Sequence, residues 1–141
     1  MAAPQFSTSG TKPSKTRKRF TLEGANKALP LVTRIVRDIV NTHERATQLQ
    51  AKLEESTGRE SGLQSQLDSA LEQLQDYVDE LGSIGVELKD YESGLIDFPG
   101  RHQGRDVYLC WRLGEEHVDH WHELHTGVSG RQSTTNLEEG E

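Results

Sequence analysis

From Leu22 to Leu53, and again from Leu63 to Leu81, apolar residues recur mostly at steps of three and four; after Gly85 the repeat drops to two. That switch constrains the chain more than any other feature. The first seam runs Leu22, Ala25, Leu29, Val32, Val36, Ile39, His43, Ala46 and Leu53, and the second Leu63, Leu67, Leu71, Leu74, Val78 and Leu81. A narrow stripe at this spacing is one face of a helix. Two stripes separated by the polar break "STGRESG" read as an antiparallel helical hairpin. Thr21 is placed as N-cap, Glu23 lies in the first turn, and Phe20 is placed to pack back as a staple. Pro30 interrupts the first stripe, and an internal proline costs about 3 kcal/mol. The expectation is a short helix over 22–29, a kink or restart at Pro30, and continuation to about Glu55. Gly82 and Gly85 are placed to end the second helix, which spans about 61–82.

Beyond Gly85, "VELKD", "GLIDF" and "DVYLCWRL" alternate with period two and read as strands over about 86–89, 94–98 and 106–112, with "PGRHQG" as a loop of hairpin length. Val107, Leu109 and Trp111 fall on one face of the third run, and Tyr108, Cys110 and Arg112 on the other. Ile96 and Phe98 likewise separate from Leu95 and Asp97. The apolar faces belong against the helices. The opposite face carries Asp97, Tyr108, Cys110 and Arg112, and something must cover or use it. The spacing of Val118, Trp121, Leu124 and Val128 suggests a short helix or ordered loop returning over the sheet. The fold class is therefore α+β: a long hairpin on a three-stranded antiparallel meander, with a C-terminal helix or loop segment. Residues 19–131 form one domain, flanked by a disordered basic tail over 1–18 and an acidic, frayed tail over 132–141.

Composition narrows the function classes. Only 32% of residues are hydrophobic, which is too polar for one large core and suits a solvated hairpin above a modest one. No apolar run approaches the roughly 20 residues needed to span a bilayer, and the basic N-terminus lacks the apolar stretch of a secretory signal. A single cysteine rules out an intramolecular disulfide and points to a reducing, cytoplasmic setting. Five of the 16 basic residues precede Phe20, so the other 11 face all 23 acids. An acidic body repels a phosphate backbone, which argues against nucleic acid as a partner. The seams are narrow and extend past the sheet. Leu49, Leu53, Leu63 and Leu67 are thus expected to carry self-association into a homo-oligomer, in a binding or scaffolding role that leaves room for a further protein partner.

Candidate chemistry concentrates in "YLCWRLGEEHVDHWHELH", residues 108–125, which holds the only cysteine, both tryptophans and four of six histidines. If 115–125 is helical, Glu115, Asp119 and His122 fall on one stripe, with Glu123 adjacent: a carboxylate–imidazole set suited to Zn or Fe. His122 and His125 are three apart, so "HELH" is not the zinc-protease motif, which needs histidines four apart. The plainer alternative is a set of surface histidines on a polar segment. Cys110 suits a thiol nucleophile if His122 folds back over it, with Asp97 or Glu123 as orienter; the plainer alternative is a buried cysteine beside Trp111. Arg101 and Arg105, or the "GVSGR" stretch ending at Arg131, are weaker anion candidates.

"FTLEGANKALPLV", "GLIDFP", "VYLCWRLGE" and "WHELHTGVSGR" together resemble a bacterial family known only as domain-of-unknown-function family 2203. The resemblance covers about Phe20 to Arg131. The family pattern has an acidic residue where this chain has Gly24, and Asp where it has His125, so it lends no support to a role for His125. It implies no activity that carries over to these residues.

Overall fold

The computed structural model describes residues 19–56 and 61–140; the basic tail expected before residue 19 and the tip of the hairpin lie outside them. Helix α1 (Leu22–Glu55) and helix α2 (Ser61–Ile84) pack side by side as the hairpin. Thr21 caps α1 as its sequence position demands, Oγ1 accepting from the Gly24 N–H at 2.9 Å. The expected restart at Pro30 does not occur, and α1 runs through it unbroken. Pro30 is exposed, on the side of α1 away from the packed face. The buried residues Ala25, Leu29, Val32, Ile35, Val36 and Ile39 carry the packed face straight across it. Their burial outweighs the lost helix bond. The seam then passes through Thr42 rather than His43, whose ring stacks on Tyr91 at 4.9 Å. Gly82 stays inside α2. Gly85 ends it in the left-handed region (φ 99°), with Gly85 N–H bonded to Gly82 O and Val86 N–H to Leu81 O, the two bonds of a Schellman cap.

Away from the sheet the two seams close on each other. Ala46, Leu49, Leu67 and Ala70 form a second buried cluster, with Leu53, Leu63 and Leu71 packed at its edge. Leu49 and Leu67 are therefore not the exposed association surface expected of them: each fills the other helix's seam.

The sheet has five strands, not three: β1 (Glu87–Asp90), β2 (Leu95–His102), β3 (Arg105–Arg112), β4 (His120–Glu123) and β5 (Gln132–Ser133), antiparallel in the order β1-β2-β3-β4-β5. Two physical effects account for the difference. First, the loop expected over 99–104 shrinks to Gln103 and Gly104, both at positive φ (51° and 80°), the pattern of a two-residue turn that matches strand twist. Pro99 and Gly100 join β2. Proline has no ladder N–H to give, and Pro99 sits past the end of β1, where its carbonyl instead accepts from Phe20 N–H at 2.7 Å. Phe20 thus packs edge-on against Phe98 (5.1 Å between ring centres) rather than acting only as a helix staple. Second, the segment expected to be helical or looped pairs with the open edge of β3 as β4. An isolated short polar helix is marginal in water, whereas a strand edge offers a ladder of unpaired backbone groups.

The acidic end does not fray over the described residues. Ser133 caps a short 3-10 turn (Thr134–Asn136), Leu137 packs on the core, Glu138 N–H donates to His102 Nδ1 at 3.0 Å, and the Glu139 carboxylate accepts from Leu22 N–H at the start of α1.

One sheet face packs Leu88, Ile96, Phe98, Val107, Leu109, Trp111 and Trp121 onto α1 and α2 as the main core. Gly94, between β1 and β2, lies at φ 71° with the position of a Cβ only 2.8 Å from Leu113 Cβ and 2.9 Å from Val36 Cγ1. Any side chain there is strained twice over, by backbone and by contact. Gly94→Ala should lower unfolding free energy by about 2 kcal/mol or more in urea titrations; a change under about 0.5 kcal/mol would mean the turn repacks freely.

Candidate functional site

The face turned away from the helices is assembled by register. Asp97 on β2 stands opposite Cys110 on β3 and Glu87 on β1, and Tyr108 on β3 stands opposite His122 on β4. Because Trp121 is committed to the core, the alternation of β4 turns its neighbour His122 onto this face. Asp97, Cys110 and His122 are all buried, and one ligating atom from each lies within 4.8 Å of the other two. His122 Nε2 sits 3.1 and 3.2 Å from the two Asp97 carboxylate oxygens, and Nδ1 donates to the Glu123 carbonyl at 2.7 Å.

This pairing governs the charge state of the imidazole. Burial alone would push His122 down. Hydrogen bonds to Asp97, Cys110 and the Glu123 backbone, with the Asp97 charge, overcome it and hold His122 up at about 10. The ring is an imidazolium against a carboxylate at neutral pH.

A second group buttresses the first from the strand backbone. Arg131 Nη2 bonds Glu115 Oε1 at 2.7 Å and reaches the Cys110 carbonyl at 3.4 Å, while Glu115 also accepts from Arg112 N–H at 2.8 Å. Burial would raise the Glu115 carboxyl, but these two donors hold it below the usual range. Arg131 is raised in turn, first by Glu115 and further by Cys110.

Of the residues singled out in sequence, Cys110, His122 and Asp97 come together. Glu115, Asp119 and Glu123 do not join them. Glu115 holds Arg131, Asp119 Oδ1 lies 2.7 Å from its neighbour His120, and Glu123 is clamped by the Arg105 guanidinium through both carboxylate oxygens. The stripe of Glu115, Asp119 and His122 presupposed a helix; Glu115 and Asp119 instead lie in the loop before β4, and only His122 is on the strand. Arg105 and Arg131 are likewise committed to carboxylates rather than standing ready for an anion. Sequence reasoning missed Lys89 and the Glu115–Arg131 buttress. Lys89 carried a legible signal, since it follows Glu87 by two residues in a period-two run.

A cleft of about 160 Å³ opens beside the cluster, with Asp97, His122, Tyr108 and Lys89 in its wall. Tyr108 Oη donates to the Glu87 carboxylate at 3.0 Å, and Lys89 Nζ lies 3.0 Å from Glu87 and 5.0 Å above the Tyr108 ring.

Fold and cluster define an α+β protein in which a helical hairpin backs an antiparallel sheet whose outer face buries a carboxylate, a thiol and an imidazole together. The chain belongs to the family described as uncharacterized conserved protein (DUF2203), whose profile matches residues 18–134. No curated protein and no solved structure matches it. Among the described residues, no helix is long and apolar enough to cross a membrane.

The raised His122 value sets a pH dependence. A group whose folded value lies above its ordinary one of 6.5 contributes stability that is complete below 6.5 and is lost as pH rises toward about 10. Nitrogen-15 spectra of protein stripped with chelator should show His122 doubly protonated at about pH 8, where ordinary histidines are neutral. Asp97→Asn should return its titration toward the ordinary range, and a neutral His122 in the parent chain at that pH would contradict the ion pair.

Proposed function

We propose that this protein binds a transition-metal ion, zinc in the first instance, through Asp97 carboxylate, Cys110 Sγ and His122 Nε2. The observation that carries the reading is the convergence, within 4.8 Å, of three chemically different donors, all buried on one sheet face. Around a tetrahedral zinc, donors about 2.0–2.3 Å from the ion stand roughly 3.3–3.8 Å apart, so modest side-chain movement closes the set. The Nε2–Asp97 contact is the one a metal replaces, the ion sitting between the same atoms that now share a proton. The Nδ1–H bond to the Glu123 carbonyl then serves as the orienting bond that metal-bound imidazoles carry on their far nitrogen. Thiolate with imidazole favours zinc or iron over magnesium or calcium. Three protein donors leave a fourth position, the arrangement of a reactive rather than a purely structural zinc site.

A thiol nucleophile assembled from the same residues is the weaker reading. Cys110 has no exposed surface, and both imidazole nitrogens are already engaged, Nε2 by Asp97 and Nδ1 by a carbonyl. A nucleophile has to be reached by its substrate.

Cobalt(II) is the direct probe, because thiolate coordination produces an intense sulfur-to-cobalt absorption. The full chain stripped with chelator should take up one equivalent with that band. Cys110→Ser should abolish it, His122→Gln should weaken uptake by at least about tenfold, and Asp119→Asn should change nothing. Circular dichroism of each variant separates lost ligation from lost folding. A parent chain that takes up cobalt without the sulfur band, or not at all, would overturn the proposal.

A further inference from the structure

Resting on that metal centre, we infer that Arg131 is its positioning residue: the guanidinium, aimed by Glu115, donates a hydrogen bond to Cys110 Sγ once the thiolate carries the ion.

Strand register brings Arg131 there. Pairing of β4 with β5 sets His120 opposite Ser133 and Trp121 opposite Gln132, so the next step along the ladder brings Arg131 beside His122. The Arg131 backbone is extended (φ -56°, ψ 138°), and alternation turns its side chain away from the face of Trp121 and onto that of His122. From there it crosses β4 to β3. Nη2 reaches the Cys110 carbonyl at 3.4 Å, and the same nitrogen bonds Glu115 Oε1 at 2.7 Å. The side chain is only 16% exposed.

Donor count, not net charge, decides what Arg131 offers. Arg131 and Glu115 are neutral as a pair and select no ligand by charge. A guanidinium has five N–H donors, however, and Glu115 and the Cys110 carbonyl engage Nη2 alone. Nε is buried and has no partner among the described residues. A buried donor without an acceptor is costly, and this one stands beside a sulfur able to accept. Glu115 raises Arg131 first; against burial, Cys110 adds to the rise by charge and by side-chain hydrogen bonding, which puts the sulfur within the guanidinium's reach.

Metal loading leaves the sulfur to Arg131. In the metal-free chain His122 also hydrogen-bonds Cys110. Coordination commits Nε2 to the ion while Nδ1 stays with the Glu123 carbonyl, so the imidazole keeps no donor for sulfur. Cys110 has no exposed surface, so solvent supplies none either. A hydrogen bond to a coordinated thiolate draws charge from the sulfur and leaves the ion a stronger Lewis acid toward whatever fills its fourth position.

The test follows the sulfur-to-cobalt band of the cobalt-loaded full chain. A hydrogen bond lowers the energy of the sulfur lone pair, so losing it moves the band to longer wavelength. Arg131→Met should move the band in that direction and weaken cobalt uptake by at least about tenfold. Because this change strands the partly buried Glu115 carboxylate, Glu115→Gln combined with Arg131→Met removes both charges and should give the same shift in a chain that circular dichroism shows to be folded. Band position reports the sulfur itself, and a merely structural loss would not move it. Cadmium-113 loading of the parent chain needs no variant: an Arg131 guanidinium proton bonded to the coordinated sulfur should show scalar coupling to the cadmium. A band that stays in place or moves to shorter wavelength in a folded variant, or guanidinium protons without that coupling, overturns the role of Arg131 and leaves the metal centre standing. Absence of the sulfur band from the cobalt-treated parent chain overturns the metal centre and this inference together.

Discussion

The two-residue turn at Gln103 and Gly104 sets the register on which everything beyond the hairpin depends. With His102 opposite Arg105, the ladder runs back to place Asp97 opposite Cys110 and Phe98 opposite Leu109. A slip of one residue would exchange the faces of β3 alone, turning Cys110 toward the helices and Leu109 and Trp111 away from them while Asp97 stayed on the outer face. The core therefore enforces the site's geometry. The apolar face that packs on the helices and the polar face that gathers Asp97, Cys110 and His122 are the two sides of one register choice.

The helices serve the sheet in a specific way. The half of the hairpin nearest the sheet supplies Leu29, Val32, Val36, Leu74, Val78 and Leu81 to the main core, while the far half is held by Ala46, Leu49, Leu67 and Ala70. Alanine at two of those four positions lets the helices approach closely, and the far cluster needs no other partner to be buried. The hairpin accordingly backs one face of the sheet and leaves the other to Asp97, Cys110 and His122.

That outer face is closed by charge as much as by packing. Glu115 and Arg131 tie the chain after β3 to the chain before β5, and the same guanidinium reaches the Cys110 carbonyl. At the other end Arg105 grips Glu123, the residue whose carbonyl holds His122 Nδ1. His122 is thus fixed in both position and ring orientation by groups that are themselves held. A buried imidazolium–carboxylate pair carries a large desolvation cost and is weak support for stability on its own.

The sequence by itself determined the hairpin, the first three strands and the division of their faces, because those follow from local periodicity: steps of three and four, then steps of two. It also singled out Cys110 and Asp97 from the open face of their strands, and His122 from a histidine-rich segment read as helical rather than as the strand it is. Pro30 misled, because a local penalty was weighed without the buried stripe that spans it. Residues 115–125 misled more, since their spacing fits a helix, whereas 115–119 form a loop and the open edge of β3 makes His120–Glu123 a strand. The acidic end looked frayed because its partners, His102 and the first turn of α1, are distant in sequence. Only the tertiary structure decided that His122 rather than His120 or His125 meets Asp97 and Cys110, and that Glu115 serves Arg131. Those are choices of pairing between segments far apart in the chain, settled by backbone ladders and core burial that no local pattern encodes.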